Sequence, residues 1–150
     1  MKHLDSKKFQ FRTPFKEDFE LIRQLLSECN LPFSDIDPSK QYFIIAENDG
    51  KMIGCCGVEI YGDNVLFRSL AVSPDYRSLG IGRMLTDKII KTAPEKGIQK
   101  LYLLTTTAGD FFKKQGWNET DRKNVPLEIG NTNEFMTLCP SMATCMMYSL

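Results

Sequence analysis

The stretch VLFRSLAVSPDYRSLGIG, residues 65–82, passes from an apolar run typical of a β-strand, through a proline-containing turn, to the start of a helix. Gly80 and Gly82 lie at the helix start, and Arg77 comes just before them. The first N–H groups of a helix have no partner inside it and carry partial positive charge, so they bind anions where the backbone is accessible. Because glycines leave the backbone accessible and Arg77 adds a full charge, the stretch predicts a phosphate site. A tight turn is the other explanation for the two glycines.

The glycine spacing separates this stretch from two common nucleotide-binding loops. It contains neither the GxxxxGK[ST] pattern of a P-loop nor the third glycine of a dinucleotide fingerprint. The sequence therefore predicts a different phosphate-bearing ligand.

Three strand-like runs, the last of which begins the stretch, predict an antiparallel meander. They occupy residues 42–46, 52–61 and 65–72, and the short segments ENDGK and GDN that join them have strong turn chemistry. Turns this short pair neighbouring strands in opposite directions.

Helical patterns and one more strand complete the predicted fold. A first helix is expected with Thr13 as its N-cap and Pro14 in its first turn. The run at 65–72, a helix over 81–93 and a strand at 101–107 form a unit whose usual right-handed crossover makes the two strands parallel. The prediction is an α/β (α+β) fold in which a mixed sheet of six to seven strands carries helices on both faces.

Length and charge limit the class of protein. The 150 residues fit a single domain, 1–150, and 19 basic against 19 acidic side chains give a net charge of zero. Since no block of like charge is present, neither nucleic acid nor a membrane surface is an expected partner. No apolar run approaches the roughly 20 residues of a membrane span, and the start of the chain lacks the apolar core of a secretory signal. We expect a soluble cytoplasmic protein.

Cysteine and histidine usage argues against metal and hydrolase chemistry. An odd number of cysteines without CxxC spacing predicts neither a disulfide framework nor a zinc site. Adjacent cysteines of one strand point to opposite faces and do not chelate together. His3 is the single histidine and lies in a polar N-terminal segment, which disfavours a Ser-His-Asp or Cys-His hydrolase. The cysteines are Cys29, Cys55, Cys56, Cys139 and Cys145.

The segment LAVSPDYRSLGIGRML, residues 70–85, resembles the acetyl-CoA site of the GNAT superfamily of N-acetyltransferases, with an LxV strand end, a proline turn and then R/Q-x-x-G-x-G/A. The segment FFKKQGW, residues 111–117, resembles the aromatic-x-x-x-G-aromatic stretch of the same superfamily. The resemblance implies acetyl-CoA as co-substrate, its pantetheine arm on the backbone of the fourth strand and its pyrophosphate on the amides that follow. The implied contact residues are Leu70, Ala71, Val72, Arg77, Ser78, Leu79, Gly80, Ile81, Gly82, Arg83, Thr105, Phe111 and Phe112.

Other segments resemble a bacterial subgroup of GNAT proteins associated with arsenic resistance. They are RSLAV, LYLLTTTAGDFF and EFMTLCPSMA, which begin at residues 68, 101 and 134. The CPSxA element carries the most weight because it is not a general GNAT feature. It indicates kinship better than it indicates a substrate.

Glu59 is the candidate catalytic base. A turn centred near Gly62 and Asp63 places Glu59 diagonally beside Arg68 on the neighbouring strand, at a distance that long side chains span. Arg68 either neutralises Glu59 as a structural ion pair or binds an anionic group of the substrate while Glu59 accepts the amine proton, directly or through a water. Both roles are compatible.

Two positions depart from the superfamily pattern. Phe112 stands where many members have a tyrosine that protonates the departing thiolate, and Thr105 stands where many have an asparagine that contacts pantetheine. A thiolate of pKa about 8.5 leaves near neutral pH without an acid. The sequence does not rank the substitute acids, which are Tyr61, Tyr102, Ser69 and Thr107. An oxyanion donor is implied at the backbone N–H of Leu70 or Val72.

The expected function is acetyl-CoA-dependent N-acetylation of a small-molecule amine, in a monomer or homodimer without a metal. An amino-acid-like toxin or an organoarsenical is a conceivable acceptor, given the subgroup resemblance. The alternatives are a protein or peptide N-acetyltransferase, a catalytically weak acyl-CoA sensor, and a thiol-based arsenite-binding protein that uses Cys139.

Overall fold

A computed structural model describes residues 4–138 and 142–150. The sequence-based expectations for His3 and Cys139 lie outside these residues. Within them the strands are β1 (Phe9–Arg12), β2 (Tyr42–Asn48), β3 (Lys51–Tyr61), β4 (Asn64–Val72), β5 (Lys100–Thr105), β6 (Asn118–Glu119) and β7 (Thr144–Ser149). The α-helices are α1 (Asp18–Glu28), α2 (Ile81–Thr92), α3 (Gly109–Lys114) and α4 (Leu127–Gly130). No helix of the described ranges has the length and hydropathy that crossing a membrane requires.

The strands form one mixed sheet in the order β1-β2-β3-β4-β5-β7-β6. β1 with β2 and β2 with β3 pair antiparallel, whereas β4 and β5 pair parallel. β7 pairs antiparallel with both β5 and β6. The prediction of a mixed α/β fold with an antiparallel meander and a parallel pair is confirmed.

Turn chemistry explains the first hairpin of the meander. β2 and β3 are separated by Asp49 and Gly50, whose φ angles are +53° and +75°. Two successive left-handed residues are the signature of the tight turn whose twist matches that of the flanking strands, and Asp-Gly is a favoured pair for it. The turn predicted from ENDGK is confirmed.

The chain divides into two compact units, of which the first comprises Met1–Val58 and Ser69–Ile89. In this unit the apolar side of α1 packs on side chains of β2, β3 and β4, as its helical spacing requires. A Cβ atom at Gly57 would lie 2.8 Å from the Phe43 ring, so a residue without a side chain is needed there. The buried core residues are Phe19, Ile22, Leu25, Leu26, Ile36, Phe43, Ile45, Cys55 and Ala71.

The expected start of the first helix is wrong. α1 begins at Asp18, and Glu17 precedes it as an N-cap without a side-chain hydrogen bond, so neither Thr13 nor Pro14 has the expected place. The Asp18 carboxylate accepts a hydrogen bond from the Phe15 N–H at 2.7 Å, which closes a turn ahead of the helix. This local bond competes with the earlier helix start.

The second unit comprises Glu59–Arg68 and Ile90–Leu150. One buried cluster in it contains Leu66, Tyr102, Ile129, Phe135 and Cys145. A second group is aromatic, with the Phe67 ring in edge contact with Phe112 and Trp117 at centroid distances of 5.8 and 5.4 Å. Phe112 of α3 and Ile129 of α4 belong to these apolar groups, and helices as short as α3 and α4 are not stable without such packing.

Candidate active site

The start of α2 leaves backbone donors without intrahelical acceptors. The Met84 N–H donates to the Gly80 carbonyl oxygen at 3.0 Å, and this is the first bond of the helix. The amides of Ile81, Gly82 and Arg83 precede Met84, so the helix offers them no carbonyl. α2 has 12 residues, long enough for its dipole to add partial positive charge at this end. The helix start predicted from RSLGIG is confirmed.

The backbone ahead of α2 is left-handed at two positions. The φ angles of Ser78 and Gly80 are +67° and +83°. A Cβ atom built at Gly80 would meet no heavy atom within 4 Å, so the backbone there borders open space. Glycine is favoured at this position because of the positive φ angle and not because space is lacking. An anion can therefore approach these amides.

The Arg77 side chain is hydrogen-bonded to neighbouring groups of the protein. Its Nε donates to the Val72 carbonyl oxygen at 3.2 Å and its terminal nitrogen to the Cys29 sulfur at 3.4 Å. Its own N–H donates to the Pro74 carbonyl oxygen at 3.4 Å. The Arg77 guanidinium therefore braces the end of β4 against Cys29, and its amide takes part in the preceding turn.

β4 is irregular where the resemblance implies pantetheine contact. Ser69 has a φ of +61°, which is unusual for a non-glycine residue inside a strand. The Ser69 carbonyl accepts from the Cys55 sulfur at 3.4 Å, and the Val72 carbonyl accepts from the Cys29 sulfur at 3.7 Å. Leu70 and Val72 are half-buried, whereas Ala71 is buried. The left-handed backbone of Ser69 and the two thiol contacts therefore lie within residues 69–72, ahead of the turn that leads to α2.

A cluster of ionisable side chains in the other unit is a second candidate site. An Arg68 terminal nitrogen lies 2.9 Å from Glu59 Oε2, so the contact predicted from the β3–β4 turn is confirmed. The structure adds Tyr61, which donates to Glu59 Oε1 at 2.5 Å, and Glu134, whose Oε1 lies 3.8 Å from Arg68 Nε. We call Glu59, Tyr61, Arg68 and Glu134 the Arg68 cluster.

Burial makes the Arg68 cluster energetically demanding. The exposed fractions of its charged side chains are 1% for Arg68, 9% for Glu59 and 5% for Glu134. Charges taken out of water must be compensated by close partners, and removing one partner of a buried pair costs several kcal/mol. Such a cluster is a candidate for proton chemistry as well as for stability.

Glu134 is the site residue that the sequence did not reveal. It begins a π-helical turn, Glu134–Leu138, in a run that is otherwise mostly apolar. A lone carboxylate among apolar residues and a π-type turn are both associated with functional positions, and the first of these signals is visible in the sequence.

The remaining implied contact residues lie at the end of β5 and in α3, in different surroundings. Thr105 Oγ1 accepts the Ala108 N–H at 3.0 Å and so shapes the turn before α3. The exposed fraction of Phe111 is 36%, whereas that of Phe112 is 5%. The Phe112 ring packs edge-on against Trp117 at 5.5 Å. Phe112 thus fills an aromatic cluster and has no hydroxyl group to donate.

The candidate acids that would protonate the departing thiolate lie in different parts of the structure. The Tyr61 hydroxyl belongs to the Arg68 cluster. Burial raises the pKa of Tyr102, so it stays protonated at neutral pH. Ser69 is buried in β4, and Thr107 is exposed after β5.

Three of the cysteines, Cys55, Cys56 and Cys145, are buried thiols. Burial raises the pKa of Cys55 to about 12 and that of Cys145 to about 11, and it places the pKa of Cys56 well above its usual value. They are protonated at neutral pH, and a protonated thiol is a poor ligand for metals or metalloids. In residues 4–138 and 142–150, no three His, Cys, Asp or Glu side chains are grouped to hold a metal ion.

Comparison with known proteins agrees with this geometry. Residues 39–119 match the acetyltransferase (GNAT) domain. An N-acetyltransferase of Chlorobaculum tepidum is 35% identical over 104 residues, which cover 69% of this chain and 64% of that protein. An amino-acid acetyltransferase of Aeromonas salmonicida is 28% identical over 117 residues, 77% of this chain and 25% of that protein.

The fold is shared with a solved structure. N-acetylglutamate synthase from Neisseria gonorrhoeae, complexed with coenzyme A and L-arginine, superposes with a TM-score of 0.79 at 23% identity, over 95% of this chain and 33% of that one. The chain spans less than two thirds of the length of the two curated relatives above. Since the domain match covers more than half of the residues, the protein belongs to the GNAT family of acetyltransferases.

Proposed function

We propose that this protein is an acetyl-CoA-dependent N-acetyltransferase that acts on the amino group of a small molecule, within a single domain. The observation that carries the proposal is the start of α2, where the amides of Ile81, Gly82 and Arg83 precede the first helical hydrogen bond beside an open left-handed turn. This is the arrangement that binds a diphosphate through the backbone.

The co-substrate would be held mainly by the main chain. The diphosphate would accept from the amides at the start of α2, including those of Ser78, Leu79 and Gly80, and the pantetheine arm would lie along Leu70–Val72. Arg77 would support this arrangement by holding the end of β4 through its bond to the Val72 carbonyl. Direct contact by Thr105, Phe111 or Phe112 remains a prediction.

Glu59 is proposed as the base. The acceptor amine is protonated near neutral pH and must lose a proton before its lone pair attacks the thioester carbonyl. Glu59, directly or through a water, would take that proton; the new C–N bond then forms and the C–S bond breaks. A backbone N–H of Leu70 or Val72 would stabilise the oxyanion between these steps. The hydrogen bonds that Glu59 receives from Arg68 and Tyr61 hold its carboxylate in one orientation.

The leaving thiolate has no acid at position 112. Of the four candidates, Tyr61 is the one whose hydroxyl contacts the proposed base, so it would give its proton to the leaving thiolate and regain one from Glu59, which holds the proton taken from the amine. A coenzyme A thiolate also leaves unassisted near neutral pH.

The acceptor is proposed to be an amino acid or a compound that resembles one. Support comes from the relatives named amino-acid acetyltransferases. Arg68 binding an acidic group of the acceptor remains a prediction, as does a role in arsenic or toxin resistance. The CPSxA element that suggested this role begins at Cys139, outside the described residues.

A second candidate function is an acyl-CoA sensor with weak catalysis. The burial of Phe112 in an aromatic cluster favours it, because the position of the usual acid is committed to packing. A sensor and an enzyme share cofactor binding and differ in turnover.

Thiol release from acetyl-CoA across a panel of amines and amino acids tests the proposal. We expect release that depends on the added amine, together with a calorimetric heat for acetyl-CoA alone. Tight binding without transfer to any amine would favour the sensor, and no binding would contradict both candidate functions. Oligomeric state, monomer or homodimer, would be read from sedimentation of the same sample.

A further inference from the structure

We infer that Glu134 is a positioning residue for the proposed base and makes the Arg68 cluster select acceptors that arrive as cations. The inference rests on the proposed function of Glu59. It starts from the observation that Arg68 contacts two carboxylates through different nitrogens: a terminal nitrogen lies 2.9 Å from Glu59 Oε2, and Nε lies 3.8 Å from Glu134 Oε1.

Geometry gives Glu134 a role in orienting Glu59. A guanidinium group is planar, and its donors point in fixed directions. A carboxylate near Nε therefore fixes the rotation of the whole plane and, with it, the direction in which the terminal nitrogen meets Glu59. Glu134 acts on Glu59 through Arg68 and need not touch the acceptor.

Charge gives Glu134 a second role. A Glu59–Arg68 pair alone carries no net formal charge. Glu134 adds a second carboxylate beside Arg68, in surroundings where no more than 9% of any of the three side chains is exposed. Charges buried to this extent are weakly screened, so the added carboxylate attracts an ammonium group more strongly than the pair alone.

The π-helical turn explains how Glu134 reaches this position. The turn Glu134–Leu138 follows α4 and buries Phe135 in the cluster that also contains Ile129 and Leu66. Leu66 precedes Arg68 by two positions on β4, on the same face of the strand. Packing of Phe135 near this face carries Glu134 to Arg68.

The decisive experiment compares Glu134→Gln with wild type on two acceptors. One is the panel amine with the highest turnover, which must lose a proton; the other is hydroxylamine, which is small and uncharged near neutral pH. We expect kcat for the panel amine to fall about tenfold with KM for acetyl-CoA unchanged, a loss of ~1.4 kcal/mol in the transition state. The rate with hydroxylamine should fall less than threefold by the same reasoning.

A matched control separates positioning from stability. Glu47→Gln removes a carboxylate from another arginine in the first unit and should leave both rates unchanged while lowering the melting temperature. If Glu134→Gln does not fold, Glu134→Asp decides, because it keeps the charge but withdraws the carboxylate from Arg68; we expect a smaller loss with the same preference for hydroxylamine.

The outcomes are distinct. Equal losses with both acceptors, or no loss with either, in a folded Glu134 variant would overturn the inference while leaving the proposed function intact. Failure of the wild type to acetylate any panel amine would instead contradict the proposed function.

Discussion

Two arginines of this protein are each held between two carboxylates, and their surroundings differ. Arg12 of β1 donates to both oxygens of Asp18 at 2.7 and 3.0 Å and to Glu47 at 2.8 Å, with a quarter of its side chain exposed. Arg68 of β4 contacts Glu59 at 2.9 Å and Glu134 at 3.8 Å, with 1% of its side chain exposed. The same residue types thus form one partly solvated network and one buried cluster.

These differences in burial and distance indicate what each network is suited to do. The Arg12 network joins β1, α1 and β2 through short hydrogen bonds, two of them to one carboxylate, which is the geometry that stabilises a fold. The Arg68 cluster is buried, carries a tyrosine hydroxyl on Glu59 and joins two neighbouring strands to a π-helical turn. We therefore propose a role in stability for the first and a role in proton transfer for the second.

The largest effect should come from Glu59→Gln, which removes the proposed base and keeps its shape. Catalytic proton transfer contributes at least about 10²-fold, so we expect kcat to fall by that factor or more. The affinity for acetyl-CoA should change little, because its proposed contacts lie on residues 70–83, whereas the melting temperature should fall because the buried Arg68 loses its partner at 2.9 Å. Steady-state kinetics on a confirmed acceptor and calorimetry with acetyl-CoA check the two expectations. Unchanged turnover would remove Glu59 from the mechanism and with it the contrast between the networks.

The converse change, Arg12→Met, should act on stability alone. It leaves Asp18 and Glu47 without their shared cation, and partly exposed networks lose less than the several kcal/mol of fully buried ones, so we expect about 2 kcal/mol. Urea unfolding measures the loss. A variant as stable as wild type, or one that is stable but catalytically impaired, would contradict the assignment.

The pH dependence of stability tests the stabilising role of the Arg12 network. Hydrogen bonds from Arg12 lower the pKa of Asp18 and of Glu47, with Gln10 adding to the second effect. A carboxylate with a lowered pKa in the folded state contributes stability that is complete above its unfolded pKa, about 4, and is lost as the pH falls through the folded value. The wild type should therefore lose stability below about pH 4 more steeply than Arg12→Met does. Urea titrations at pH 2 to 7 give the free energy of unfolding of both proteins. If the two free energies fell in parallel with pH, this expectation would be contradicted.

The smallest effects should come from the neutral donor of each network. Tyr61→Phe removes the hydroxyl that donates to Glu59, and Gln10→Ala removes the amide that donates to Glu47. A hydrogen bond is worth about 1 kcal/mol, so we expect kcat to fall about fivefold in the first variant and stability to fall by about that energy in the second. If Gln10→Ala impaired turnover and Tyr61→Phe lowered only stability, the roles proposed for the two networks would be contradicted.

Local patterns in the sequence predicted much of the fold. Asp-Gly chemistry predicted the first hairpin of the meander, and the glycines after Arg77 predicted the start of α2. The two-residue turn after Tyr61 set the register that brings Glu59 to Arg68, so that contact was also predictable.

Competing local hydrogen bonds and longer-range packing account for the rest. The start of α1 was misplaced because Asp18 bonds back to Phe15 and Arg12, a competition that capping preferences do not show. Glu134 was missed because its approach to Arg68 depends on the packing of a distant π-helical turn. The burial of Phe112 depends on Phe67 of β4, which is distant in the sequence and lies outside the FFKKQGW segment.

Resonances of the backbone amides at the start of α2 test the central claim most directly. In ¹⁵N-labelled protein titrated with acetyl-CoA, the account predicts saturable shifts for Ile81, Gly82 and Arg83, and much weaker ones with acetyl-pantetheine, which lacks the diphosphate. If those three amides do not move at a large excess of acetyl-CoA, the backbone site is not where the diphosphate binds and the account is contradicted.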